Sequence, residues 1–303
     1  MAGRKKQEPR ARAARPQQVP KAEPSAARPL TRDDLVQASV RVDPDLRRRS
    51  ELLWEDRSRS TRGPKAAFTP DDVVHAAIQI AEADGLSAVT MSAVSARLGL
   101  TTMAIYRYFP NKDALLDAIV DTAMGCPPVP SDPRGDWRAD VARWAHAKRA
   151  MLCARPWLAE LPFVAAPHGP NWLSWVEAVV EPLSRIGLNA VDTGEMLSVI
   201  DGYTRGASDT AISLARARAR GTSDAGWTAA VGADLGRAIG DPRFPAFAAL
   251  ITAPSGGEPR TMETSFDFGL QRVLDGIERY VASSTTPPSR TPRAAKAAPR
   301  SQR

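Results

Sequence analysis

Between Thr69 and Met124 the sequence starts and stops a helix four times in fewer than 60 residues. That rhythm suits a small all-α unit and little else. Thr69-Pro70-Asp71-Asp72 is a start signal, with a hydroxyl at the N-cap, a proline in the first turn and two carboxylates facing the helix dipole. Val74, Ala77, Ile78 and Ala81 follow at i, i+3, i+4 and i+7, one stripe to be buried, before Asp84-Gly85 ends the segment. Thr90 opens a second helix with Met91, Val94 and Leu98 inward, closed by Gly99. A third begins at Thr101, carries Ile105 and ends at Phe109-Pro110. Asn111 caps the fourth, whose stripe is Leu115, Leu116, Ile119, Val120 and Ala123.

Gly125–Gly135 holds four prolines and reads as a linker. Beyond it the pattern is again helical, over roughly 136–153, 157–163, 170–187, 192–219, 223–239, 242–252 and 261–282, and strand-like alternation never persists. The predicted fold is therefore all-α: a domain of three to four short helices over 66–124, joined to a larger C-terminal helical bundle over 136–283. The 303 residues suffice for two such cores.

Charge is distributed unevenly along this frame. Residues 1–65 hold 17 Lys and Arg against 9 Asp and Glu, 283–303 hold 5 against none, and the part between is acidic. Residues 1–65 are expected to be a disordered basic arm and 284–303 a disordered basic tail, because Arg, Ala and Pro without large apolar side chains cannot offset the entropy of ordering. Within the arm, Leu30–Arg59 carries scattered apolar residues and is compatible with a short helix. No run of about 18 apolar residues and no apolar leader is seen, so neither a membrane span nor a signal is expected, and the cytoplasm is the expected compartment. Cys126 and Cys153 show no metal-ligand or disulfide spacing and read as reduced thiols.

The stretch from Val94 to Tyr108 carries the chemistry. Ser95 is small where two helices would cross, Gly99 supplies the positive φ of a tight turn, and Val94, Leu98, Leu100 and Ile105 make a shared core. Thr101 and Thr102 then stand at the start of the second helix, where free amides and short hydroxyls suit phosphates and base edges. A small residue four places before a glycine equally describes an ordinary helical corner. The longer run of Gly85-Leu86, Val89-Thr90-Met91, Leu98-Gly99-Leu100 and Ile105-Tyr106-Arg107-Tyr108-Phe109-Pro110-Asn111-Lys112-Asp113-Ala114-Leu115-Leu116 resembles the TetR family of transcriptional regulators.

By that resemblance Thr101, Thr102 and Met103 face bases or phosphates, Tyr106 touches the DNA backbone, Arg107 and Tyr108 occupy the next positions, Lys112 binds a phosphate, and Thr90 and Ser92 reach the backbone. The bland readings stay open: Tyr108 as core, Met103 as surface filler, Lys112 as a solvated charge. Residues 66–124 contain only Arg97, Arg107 and Lys112 against seven carboxylates, a poor balance for displacing counterions from double-stranded DNA. Arg62 and Lys65, just before the first helix, are expected to supply what is lacking along the phosphates or in a minor groove, unless the arm is only a solubilising tail.

Arg155-Pro156-Trp157-Leu158-Ala159-Glu160-Leu161-Pro162 and Gly169-Pro170-Asn171-Trp172-Leu173 resemble, more loosely, the tetracycline-repressor-like C-terminal domain. That likeness implies an effector-binding bundle for an unknown small molecule, with Trp144, Trp157, Phe163, Trp172, Trp175 and Tyr203 as pocket candidates, or else as core. Asp192-Thr193-Gly194-Glu195 opens a long helix reaching Arg218, and Phe266, Leu270, Val273, Leu274 and Ile277 form a stripe near the end of the fold; the resemblance implies that these two helices pair with their symmetry mates as a four-helix bundle, in a homodimer on a palindromic operator. A ligand favouring a mismatched spacing of the recognition helices would release the operator, so repression relieved by ligand is the expected mechanism. His75, His146 and His168 are scattered, with no motif of a metal or nucleophilic site, and His146 and His168 lack an obvious carboxylate at ligand spacing, so no catalytic, metal or cofactor site is expected. A tail-driven, sequence-independent nucleic-acid binder would explain the charge but not the turn glycine.

Overall fold

The computed structural model describes residues 43–55, 68–129, 135–160, 167–221, 223–254 and 260–284. Among these it contains helices and no strand. In chain order they are α1 (Pro44–Trp54), α2 (Pro70–Asp84), α3 (Met91–Leu98), α4 (Thr102–Ile105), α5 (Lys112–Met124), α6 (Trp137–Ala154), α7 (Pro170–Ser184), α8 (Ala190–Ala219), α9 (Asp224–Ile239), α10 (Pro245–Thr252) and α11 (Met262–Ser284), with 3-10 turns at Leu86–Ala88 and Pro156–Glu160. Arg62, Lys65 and Phe163 lie outside the described residues, as does the basic tail.

The starts and stops follow the local chemistry. Thr69 and Asp72 form a capping box, the Thr69 amide donating to the Asp72 carboxylate at 2.7 Å and the Asp72 amide to the Thr69 hydroxyl at 3.2 Å. Thr90 accepts from the Ala93 amide at 3.0 Å, and Asn111 from the Ala114 amide at 2.8 Å. Helix α3 ends in a Schellman turn, in which Gly99 at φ 67° and ψ 27° brings the Leu100 amide onto the Ser95 carbonyl at 2.8 Å. A Cβ at Gly99 would meet nothing within 4 Å. Gly99→Ala should therefore cost about 1 kcal/mol of backbone strain alone, to be read as a lowered midpoint with unchanged slope in urea unfolding.

Two cores result. Val73, Val74, Ala77, Val94, Ile105, Phe109, Leu115 and Ile119 fill the first, which continues through Leu152, Trp157, Leu158 and Ile212. Val141, Trp144, Trp175, Val179, Leu183, Ile200, Phe266, Leu270, Leu274 and Ile277 fill the second. Buried Asp140 fastens α6 to α7 through Arg185 at 2.5 Å and also accepts from Arg143 at 2.8 Å. Burial by itself would raise the Asp140 carboxyl, but the two guanidiniums hold it below its ordinary value.

Two expectations are corrected. The arm to residue 65 is not disordered throughout, because Pro44–Trp54 is a helix packed on α5 with Leu53 only 2% exposed. The apolar stripe of α11 does not face outward to a second chain. Phe266, Leu270, Leu274 and Ile277 are buried within the protomer, and Val273 packs half-buried against the same core. An amphipathic stripe specifies that a face must be covered, without specifying by which chain.

Candidate nucleic-acid interface and effector domain

Ser95 is the small residue at the crossing of α3 and α4, 3% exposed. Its hydroxyl donates to the Ser92 carbonyl at 2.9 Å and lies 3.3 Å from the Thr102 hydroxyl. Ile105 and Phe109 anchor α4 from below, 0% and 1% exposed. Among the side chains this leaves to solvent are Ser92, Thr101, Met103, Tyr106, Arg107 and Lys112, with Met103 73% and Tyr106 44% exposed. Large apolar side chains held open on a packed scaffold are what a surface awaiting a partner presents.

The sequence-derived DNA contacts divide accordingly. Thr102 is half-buried and its hydroxyl is turned to Ser95, while Thr90 spends its hydroxyl on capping α3 and lies 3.1 Å from that of Ser92. Tyr108 is half-buried and donates to the Phe68 carbonyl at 3.0 Å, so it fastens the chain entering α2. Arg97 is held by Gln79 through Nε at 3.0 Å and Nη2 at 2.9 Å. Arg107 and Lys112 are the exposed cations beside α4.

In the C-terminal half, Trp144 and Trp175 meet edge-to-face with centroids 6.1 Å apart. Both indole N–H groups are used: Trp144 donates to the Trp175 carbonyl at 2.8 Å, and Trp175 to the Gly125 and Met124 carbonyls at 3.0 and 3.2 Å. These two fill the core. Tyr203 stacks on Phe266, donates to the Phe266 carbonyl at 2.7 Å, and leaves no room for a Cβ at Gly269. Half-buried Trp172 lies under the His168 ring, centroids 3.7 Å apart. Trp157 differs from the rest: it is 4% exposed, in the other core, and its buried Nε1 has no hydrogen-bond partner among the described residues. An open groove of about 610 Å³ lies on the N-terminal domain, lined by Phe68, Asp72, His75, Ala76, Gln79, Arg97 and Leu98, and by none of these aromatics.

Several groups escaped the sequence. Buried Lys148 of α6 pairs with Asp201 of α8 and stands 4.8 Å above the Trp144 ring. Burial pulls the Lys148 ammonium below its ordinary value, and Asp201 opposes that. His146, thought to lack carboxylate partners, faces Glu263 at 3.5 Å through Nδ1 and Asp267 at 3.0 Å through Nε2, with Arg149 on Glu263 at 2.5 Å. Both ring nitrogens are turned to separate carboxylates, the arrangement of an ion-pair network across α6 and α11. Asp121 of α5 accepts from the Trp172 amide at 3.0 Å and the Asn171 amide at 3.4 Å, so a carboxylate on one helix caps the start of α7. Gly169 sits against that carboxylate with no space for a side chain.

Comparison with known proteins agrees with this architecture. The model of bacterial regulatory proteins of the tetR family matches residues 73–119, and the tetracyclin repressor-like C-terminal domain matches 129–281. The HTH-type transcriptional repressor DrrR1 of Streptomyces coeruleorubidus is 36% identical over 240 residues, covering 78% of this chain and 87% of that protein. The class A tetracycline repressor from transposon 1721 of Escherichia coli is 28% identical over 212 residues, covering 69% and 90%. Among solved structures, ActR of Streptomyces coelicolor in complex with actinorhodin has a TM-score of 0.57 at 23% identity, covering 73% of this chain and all of that one, and shares the fold. With α3, the Gly99 turn and α4 inside the first match and α6 to α10 with most of α11 inside the second, the chain belongs to the TetR family of bacterial transcriptional regulators.

Proposed function

We propose that this regulator is a repressor that holds a palindromic operator as a homodimer and releases it when a small molecule occupies the C-terminal bundle. The observation that carries the DNA-reading half is the exposed set around α4, namely Thr101, Met103, Tyr106, Arg107 and Lys112, on a scaffold anchored from inside by Val94, Ile105 and Phe109. Arg62 and Lys65 precede α2 in sequence and supply the cations that residues 66–124 lack. Repression is supported by the relatives named as repressors, and a ligand by the tetracycline repressor's name and by ActR's complex with actinorhodin.

For the dimer, exposed apolar side chains replace the buried stripe as candidates: Val191 and Val199 on α8 and Phe268 on α11. For the effector, Trp157 is the strongest of the aromatic candidates, since a ligand oxygen would satisfy its buried indole N–H. No helix among the described residues is long and apolar enough to cross a membrane, and action in the cytoplasm, without catalysis or cofactor, completes the reading.

Selection of duplexes from a random pool, followed by anisotropy titration, tests the DNA half. Thr101→Ala with Tyr106→Ala should lower affinity by about tenfold or more while the salt dependence hardly changes, because neither side chain is a cation. An unchanged affinity would remove α4 from the interface. Trp157→Phe separates ligand contact from core filling: removing an unpaired donor should leave thermal stability unchanged or raised, while ligand-induced release of the duplex weakens. A stability loss of several kcal/mol would return Trp157 to the core.

A further inference from the structure

Helix α1 precedes both matched regions, 73–119 and 129–281, and yet it touches both. Arg49 donates to both oxygens of Asp117 on α5, through Nε at 2.7 Å and Nη2 at 2.9 Å, and both side chains are largely buried. Asn111 at the head of α5 donates to Asp45 at 2.9 Å, and Leu53 is sealed against the N-terminal core. At its other end Trp54 donates its indole N–H to the His168 carbonyl at 3.2 Å, in the segment that leads into α7.

The second link is on α5 itself. Asp121 stands one helical turn beyond Asp117 and holds the amides of Asn171 and Trp172 at the start of α7. The Asn171 side chain returns a hydrogen bond to the Asp121 carbonyl at 3.0 Å. Consecutive turns of α5 thus bind α1 and α7, and Trp54 closes the triangle by joining α1 to the entrance of α7. A closed loop of three contacts resists relative rotation of its members in a way that two contacts do not.

We infer that α1 is a strap that sets the angle between the DNA-reading domain and the effector domain, with Arg49 and Trp54 as positioning residues for operator binding. This rests on the reading of the chain as a ligand-responsive DNA binder. The strap holds the orientation present in the structure, and an effector that rotates α5 must loosen the Arg49 or the Trp54 contact first. The competing role for α1 is a plain cover for the apolar side of α5.

Hydrogen–deuterium exchange on the full chain separates the two roles without DNA or ligand. Among the described residues the hydrogen bonds and ion pairs of Arg49 go to Asp117 and Asp45 and not to residues 169–173, so a cover predicts that Arg49→Ala speeds exchange only in α1 and α5. A strap predicts that the Asn171 and Trp172 amides also exchange about tenfold faster. Trp54→Phe removes the indole N–H together with part of the ring from a side chain that is 55% exposed; it should raise exchange at the same two amides several-fold while α1 stays protected, and it decides alone if Arg49→Ala fails to fold. Unchanged exchange at 169–173 in Trp54→Phe would overturn the strap. In parallel, Trp54→Phe should shift the affinity for a selected duplex about threefold or more although it is remote from α4, and an unchanged affinity would equally overturn the positioning role. If the wild type selects no duplex, the regulator reading fails, and the exchange result still judges the strap.

Discussion

Arg49→Ala is expected to lower the unfolding free energy by about 3 kcal/mol, the low end for removing one partner of a buried ion pair, since Arg49 keeps a little exposure. The cost arises at Asp117, whose carboxylate is left in a buried site with its main counter-charge gone. In the intact protein burial pushes the Asp117 carboxyl above its ordinary value, and the Arg49 guanidinium works against that shift. Without Arg49 the rise is larger, which fixes the sign of the pH dependence. An acid that binds its proton more tightly in the folded state contributes stability below its unfolded value, and that contribution is lost as pH rises through the raised folded value. The deficit of the variant should thus be smallest in acid and should grow toward neutral pH. Urea unfolding of wild type and variant across that range measures it, and a deficit independent of pH would mean that Asp117 finds another partner.

Asp121→Ala is expected to cost about 2 kcal/mol and to loosen the start of α7. The carboxylate is 2% exposed and holds two helix-start amides that water cannot reach readily in its absence. Loss of an N-cap acceptor removes about 1 kcal/mol, and buried amides left without a partner add a similar amount. Gly169→Ala should mimic this from the other side, since its new methyl must displace the same carboxyl. Near-ultraviolet circular dichroism reports the outcome through Trp172, whose contact with the His168 ring depends on this corner. A Gly169→Ala protein with wild-type stability and spectrum would show that the corner is looser than its geometry implies.

Why some of this was legible in the sequence and some was not follows from the range of the interactions. The caps at Thr69, Thr90 and Asn111 and the turn at Gly99 act within three or four residues, so residue type and spacing determine them. The exposed ring of Thr101, Met103 and Tyr106 is nearly as local, because Ile105 and Phe109 fix which way a single short helix must face. By contrast, Arg49 meets Asp117 across 68 positions, and an arginine-rich stretch gives no sign of which guanidinium will find a buried carboxylate. The same holds for His146, whose carboxylate partners lie on the last helix. The α11 stripe marks a different limit: its periodicity specifies a face to be covered but not by which chain, and Phe266, Leu270, Leu274 and Ile277 are covered by the chain's own helices.

Trp144 and Trp175 illustrate a related limit. Flat aromatic residues on converging helices suit a pocket or a core equally, and only their satisfied N–H groups assign them to the core. Trp157 remains the exception because its N–H has no partner among the described residues.

A footprinting titration on the DNA flanking the protein's own gene, at near-physiological salt, bears most directly on the central claim. Wild type should protect a short palindrome, and the Thr101→Ala, Tyr106→Ala double variant should lose that protection while retaining its helical circular dichroism. Diffuse protection that the double variant keeps would contradict sequence reading through α4 and would assign DNA binding to the basic ends of the chain.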